Sequence, residues 1–352
     1  MDRDGTDDLL AQVCEAATRG AALRIVGGDT KRFYGRTIDG VPLATHGHSG
    51  ILRHDPAELV LTARGGTPLA EVETRLSAHG QRLPFEPPHF GTDATLGGTV
   101  AAGLAGPARA WAGPLRDYVL GARILTGDGR VLRFGGEVMK NVAGYDVARL
   151  MAGSLGVLGL LLDVSLKVLP TAAAERTLAL ELDEAQALEH LAGLTRGALP
   201  VTASSWINGR LYLRFEGSLE TLDTIAARVG GELLPDCGSF WSSLREQTHP
   251  FFAGEQPLWR CTVPGLVGPL SLGSEPLVEW NGMQRWYRGI EDAVAFEAAA
   301  AVGGHATLFR HHTDAAEVFT PLAPPLLRLH RELKRVFDPA GILNRGRMYA
   351  DL

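Results

Sequence analysis

Cysteine is scarce: Cys14, Cys237 and Cys261 are the only three in 352 residues. They are too scattered for a disulfide framework, a zinc knuckle or an iron–sulfur motif, each of which needs clustered thiolates. A reducing compartment fits that usage. Runs of lysine interleaved with aromatics are missing too. With 34 Lys and Arg against 40 Asp and Glu, a formal charge of -6, the chain lacks the electrostatic footprint of a nucleic-acid binder. Long apolar runs are also absent. The most apolar neighbourhood, "LMAGSLGVLGLLLDV", is broken by glycines and falls short of the roughly 18 residues expected of a spanning helix. The N-terminal "MDRDGTDDLLAQV" is acidic where a secretory leader is basic, and it has no apolar core. These absences predict a cytoplasmic protein with no nucleic-acid partner and no transmembrane segment.

What the chain has in quantity is glycine, 43 residues, within a composition 45% hydrophobic and 21% charged. That suits a soluble α/β protein, and a prior of roughly 150 residues per domain suggests two domains. Leu9, Leu10, Val13, Ala16 and Ala17 recur at helical spacing, so residues 7–19 read as an amphipathic helix. The strand "ALRIV" follows, then "GGDTK". A dinucleotide fingerprint would continue into a helix with a third glycine; "KRFYGRTIDG" has neither. The pair Gly27 and Gly28 reads either as a plain turn or as an anion-binding nest, in which positive φ and close approach expose backbone amides to a phosphate.

Residues 59–63, "LVLTA", read as a strand, and "TPLAEVETRLSAHG" as a helix with Thr67 as cap, Pro68 at its first position and Gly80 at its end. Residues 84–117, "PFEPPHFGTDATLGGTVAAGLAGPARAWAGPLRD", form a Gly- and Pro-dense stretch far longer than an ordinary connection. "VLGARILTGDGRVLRFGG" predicts a hairpin around "GDG". A short helix, a glycine-rich turn and a strand ending at Pro170 follow. From residue 171 to about 305 the texture becomes that of a separate α+β domain with a small sheet. The tail carries a basic amphipathic helix stopped by Asp338-Pro339.

The order "VGGDTK", "DATLGGTVAAGLAG", "GPLRDYVLGARILTGDGRVLRFGG", "KNVAGYDVARLMAGSLGVLG", "FDPAGILNRGRMY" resembles the FAD-linked oxidases of the vanillyl-alcohol-oxidase type. Within them, residues 84–170 are most similar to the FAD-binding E subunits of three-subunit bacterial glycolate oxidases. The resemblance implies an α+β protein. A PCMH-type FAD-binding domain of two α+β subdomains spans residues 1–170. A second α+β domain of cap or substrate type, with a small antiparallel sheet, spans 171–310. A C-terminal segment, 311–352, returns to the flavin domain. It implies FAD held at Gly27, Gly28, Asp29, Thr30 and Lys31, at His89, Thr92, Asp93, Thr95, Gly98, Ala102, Gly103 and Ala105, and at Gly156, Val157, Gly159 and Leu160. Arg116 and Asp117 are either cofactor contacts or a local ion pair. Taken singly, each of these patches also reads as structural: a capped helix, or a glycine-rich strand entry.

Departures from the family matter as much. Relatives that oxidise D-2-hydroxy acids resemble one another in a metal-binding histidine cluster. Here "VGGHATLFRHHTD" offers His305, His311 and His312 with no acidic residue in a ligand spacing, so no metal is expected. His46 and His48 in "HGHSG" read as loop residues. Relatives with covalent flavin attach it through a histidine where this chain has Asp29, which implies non-covalent FAD. Arg345 stands where relatives carry proline. His305, Asn344 and Arg347 are the candidate catalytic residues, with capping as the alternative for Asn344 and Arg347. The resemblance further implies two partners: a second FAD-linked catalytic subunit and an iron–sulfur subunit that takes electrons from the flavin. The substrate would be glycolate or a similar small 2-hydroxy acid, and any membrane attachment would be peripheral, through the complex. The alternative is a non-catalytic assembly or electron-relay subunit that keeps its FAD pocket.

Overall fold

The computed structural model describes residues 2–136, 146–194, 199–235, 237–265, 267–310 and 317–352. The first helix, Thr6–Arg19, has Asp7 and Asp8 in its first turn and Arg19 in its last, the charge order that suits the helix dipole, and it ends on left-handed Gly20. Its buried face, Leu9, Val13 and Ala16, packs on Leu43, Leu160, Leu162 and Leu343. After it, Leu23–Val26 pairs in parallel with Val41–Ala44.

A five-stranded antiparallel sheet follows in the order Ile51–Asp55, Val60–Arg64, Leu160–Lys167, Val119–Leu125, Val131–Gly135. Its central strand is covered on both faces, which is why "LLLDVSL" reads as an unbroken apolar run. Leu160 and Leu162 face the first helix, while Leu161, Val164 and Leu166 join the core with Val72, Leu76, Leu96 and Val100. The charge buried there, Asp163, is compensated by Arg123 at 2.5 Å and by His48 at 3.3 Å. His48 is buried and His46 exposed, as loop residues. The helix Leu69–Ser77 starts one residue later than expected, with Pro68 rather than Thr67 as its N-cap. The Thr67 hydroxyl is engaged elsewhere, accepting from the Gly50 amide and facing its carbonyl, so it fastens the preceding strand instead of the helix.

The second half carries an eight-stranded antiparallel sheet. Its order is Glu232–Leu234, Ala174–Glu181, Arg210–Gly217, Val201–Ile207, Leu277–Glu279, Gln284–Arg288, Leu258–Thr262, His305–Arg310. Helices Glu184–Leu194 and Leu219–Val229 cover one end of its outer face, and Asp292–Ala301 covers the other. The inner face, through Leu258, Leu277, Trp286 and Phe309, packs against Tyr34, Leu104 and Leu155 of the first half. Polar ties reinforce that layer: Trp280 Nε1 donates to the Gly106 carbonyl at 2.9 Å, Arg214 pairs with Glu86 at 2.7 Å, and Arg82 pairs with Glu216.

The helix Pro324–Phe337 then carries the chain back. Buried Lys334 donates to the carbonyls of Val157 and Leu343, and the Asp338 carboxylate takes the amides of Ile342 and Leu343. Leu343 bridges to Leu23, so the tail completes the first half of the molecule.

Candidate functional site

Strand Leu23–Val26 delivers the chain into the glycine turn. A Cβ on Gly28 would overlap the Asp93 carbonyl, and one on Gly27 would overlap the Thr95 hydroxyl. Of the two reasons the sequence offered for these glycines, close approach holds, and neither takes a positive φ. The left-handed residue is Asp29, at φ 56, held by Arg24 through both carboxylate oxygens. Among the described residues, none of the amides of Gly27, Gly28, Asp29, Thr30 and Lys31 donates to another group of the chain. Half-buried backbone donors, as at Gly27, Gly28, Thr30 and Lys31 around exposed Asp29, ordinarily find an acceptor, so the run suits an anion. Lys31 Nζ, beside them, donates to the His89 carbonyl at 3.1 Å. Burial pushes its pKa down to about 8, with nearby Glu246 pulling the other way.

The opposite wall comes from the helix Leu96–Ala102. Thr95 caps it by accepting from the Gly98 amide at 3.2 Å, and Gly97, Gly98, Ala101 and Ala102 keep its cleft side low. The third wall is Leu155, Gly156, Gly159 and Leu160. Gly156, at φ 75, needs its missing Cβ because the Asn344 amide lies against it. Asn344 itself spans two walls, accepting from the Ile25 amide and donating to the Leu155 carbonyl, each at 2.7 Å. Arg347 donates to the carbonyls of Lys31, Arg32 and Arg36, and burial holds its pKa down at about 10. The three walls form an open cleft with about 120 Å³ of space between them.

Thus Gly27, Gly28, Asp29, Thr30, Lys31, Thr95, Gly98, Ala102, Gly156, Gly159 and Leu160 share one cleft with Asn344 and Arg347. The others stand apart from its lining. His89 lies behind Lys31, its amide and ring held by Glu246 and Glu73. Thr92 and Asp93 are exposed, Gly103 ends a helix, and Val157 is core. Arg116 and Asp117 form an exposed pair at 3.7 Å on a short 3-10 helix. Ala105 faces a different void, toward the large sheet. His305 is exposed at the start of the last strand, and His311 and His312 lie outside the described residues. Among the described residues no three His, Cys, Asp or Glu side chains gather as a metal site. Sequence reasoning missed Arg24, Ile25, Thr45, Gly65 and Leu155. Gly65 had a usable signal, a second glycine pair directly after a strand.

A model of the FAD binding domain family matches residues 4–135. The chain is 45% identical over 350 residues to glycolate oxidase subunit GlcE of Escherichia coli strain K12, covering 99% of each protein. It is 25% identical to a D-lactate dehydrogenase of Archaeoglobus fulgidus, over 90% of this chain and 83% of that one. Of the solved structures, an alkyldihydroxyacetonephosphate synthase superposes with a TM-score of 0.67 at 15% identity, over 97% of this chain and 75% of the other, a likeness of fold alone. FAD is the cofactor of this domain, and the α+β, PCMH-type architecture expected from the sequence is the one adopted.

Proposed function

The chain belongs to the family of glycolate oxidase subunit GlcE, and we propose that it is the FAD-binding subunit of a multi-subunit complex that oxidises glycolate to glyoxylate, or a similar small 2-hydroxy acid to its 2-oxo acid. Residues 1–170 form the flavin domain in this reading, 171–310 the cap, and 311–352 the returning tail. The observation that carries it is the run of amides from Gly27 to Lys31 without acceptors among the described residues, in a cleft lined in part by glycine and alanine. A pyrophosphate fits that donor set: two negative phosphates against five amides, with Lys31 alongside. Non-covalent binding follows from Asp29, whose carboxylate is held by Arg24 and offers no attachment chemistry.

When bound, flavin supplies the two-electron acceptance and one-electron release that couple hydroxy-acid oxidation to a carrier. The residues of this chain orient it: Asn344 fixes the distance between the first strand and the Gly156 turn, and Arg347 fixes the loop beyond Lys31. The next carrier belongs to another chain. Cys14 is exposed, Cys237 half-buried and Cys261 buried in the large sheet; their separation supports an iron–sulfur centre on a partner chain, and the likeness to named glycolate oxidase subunits supports a second flavin-bearing catalytic subunit. No helix of the described residues is long and apolar enough to cross a membrane; attachment through the complex is part of the proposal. Among the described residues His305 belongs to no cluster of three metal-ligating side chains, which favours a second reading, an assembly or electron-relay subunit that keeps its flavin. Co-purification with an absorption spectrum tests the first reading: flavin and iron–sulfur bands bleaching together on adding glycolate support it, and a partner-free chain whose flavin stays oxidised contradicts it.

A further inference from the structure

The peptide groups of residue 89 are held from both sides. The His89 carbonyl accepts from Lys31 Nζ at 3.1 Å, and the His89 amide donates to the Glu246 carboxylate at 3.0 Å. The Phe90 amide donates to the same carboxylate at 2.9 Å. Glu246 thus stands one residue away from the ammonium beside the glycine turn, yet it belongs to the other half of the molecule. It follows directly on the helix Gly238–Arg245, whose buried Trp241 and Leu244 seat it and whose Trp241 Nε1 donates to the Thr177 hydroxyl of the large sheet at 3.0 Å.

The loop that Glu246 grips does not hold its shape by local preference. Glu86 and Phe90 lie at φ 45 and 53, a left-handed region that bulky side chains enter only where their surroundings impose it. Both are held from the second half: Arg214 pairs with the Glu86 carboxylate at 2.7 Å, and Glu246 takes the Phe90 amide. Bonds from amides to a carboxylate are charge-assisted and among the stronger ones. The same loop runs on to Asp93, whose carbonyl lies against Gly28. Glu246 also acts through space on Lys31, its charge opposing the lowering that burial causes. The other charges around Lys31 are Asp29 and Arg32 on its own turn, Arg347 of the tail on its carbonyl, and Glu73, which bonds the His89 ring; Arg245 pairs with Glu246 itself.

We propose that Glu246 is a positioning residue of the flavin site, acting from the second half through the 89–90 peptides to hold Lys31 in place as the cation beside the phosphates. The proposal rests on the reading that the Gly27–Lys31 turn takes the FAD pyrophosphate, and it goes beyond that reading by making the second half part of the site.

Two measurements on the full chain test it. The first labels the FAD-free chain with acetic anhydride from about pH 6 to about pH 9 and reads Lys31 by mass spectrometry. Wild-type Lys31 should become reactive through about pH 8. In Glu246→Gln it should do so about one pH unit lower, because removing an opposite charge favours the neutral amine. The second follows FAD uptake by fluorescence quenching over the same range. Below the Lys31 pKa the group is charged with or without FAD, so affinity is level; above it binding must restore a proton, so affinity falls. In Glu246→Gln that fall should begin lower, with affinity at neutral pH reduced about tenfold. Glu246→Asp keeps the charge but is one methylene short of the two amides, so its fall should begin where the wild type's does, from a weaker affinity. A contact that only braces the two halves would lower the urea midpoint without moving either onset. The proposal is overturned if folded Glu246→Gln leaves both onsets where the wild type has them. If that variant does not fold, Glu246→Asp decides, and wild-type FAD affinity in it overturns the proposal. The two readings fail separately: a wild-type chain that refuses FAD removes the proposed function, whereas unchanged FAD uptake by Glu246→Gln with an unmoved Lys31 removes this proposal alone.

Discussion

The two recesses on either side of the 84–117 loop are built from different materials. The cleft at Gly27 to Lys31 is lined by a stretch of main chain whose amides have no acceptor within the described residues, flanked by glycine, alanine and a capping threonine. The void at the large sheet is made of side chains, Arg260, Glu279 and Gln284, aimed by strand register. A backbone site is specified by what the sequence leaves out, whereas a side-chain site is specified by which strands become neighbours. The first suits an extended, charged dinucleotide.

The sharpest way to separate the two is Gly28→Val. Its Cβ would drive into the Asp93 backbone carbonyl. At the upper end of overpacking costs, about 3 kcal/mol, FAD affinity should fall roughly a hundredfold by fluorescence quenching. Arg214→Ala, comparable in size, acts on the join between the halves instead of on the cleft. It strips the partner from Glu86, whose side chain is 15% exposed between the two halves. Leaving a buried charge unpaired costs about 3–5 kcal/mol, which urea unfolding of the FAD-loaded chain would read.

Glu279→Gln acts on the sheet side only. Burial pushes the Glu279 carboxyl up to about 7, against the pull of Trp286 and Gln284. Between its unfolded pKa of roughly 4.3 and that value, the folded state holds a proton the unfolded state has released. Stability contributed by this group therefore falls as pH rises through that window, by about 3 kcal/mol, and is level above it. The variant should lose this fall and gain on the wild type toward neutral pH, with FAD affinity unmoved. Smallest of all is Arg116→Ala. The pair with Asp117 is exposed and outside the cleft, so stability should change by less than about 1 kcal/mol and FAD binding should stay the same.

The same contrast explains what was legible beforehand. The glycine turn, the "DATLGGTV" helix and the "GSLGVLG" turn could be read because local composition reports close approach directly. At Gly27 and Gly28 it is close approach to the neighbouring loop, one of the two reasons the sequence offered, and not φ, that requires glycine. Arg24 and Ile25 were invisible because they line the cleft only after Asn344, more than 300 residues on, is pinned to Ile25. Arg260, Glu279 and Gln284 gave no signal at all. Their meeting depends on antiparallel register between separate strands, and in the sequence they look like ordinary strand polar residues. Thr67 was read as a cap from its position before proline, but its hydroxyl is captured by Gly50, a long-range bond no local pattern reports.

Amide hydrogen exchange across residues 23–35, with and without FAD, reaches the central claim most directly. Exchange of the amides from Gly27 to Lys31, free of acceptors within the chain, should slow markedly when FAD is added, while the strand amides of Leu23–Val26 change little. FAD that binds and leaves those five amides exchanging at their original rate would contradict the account.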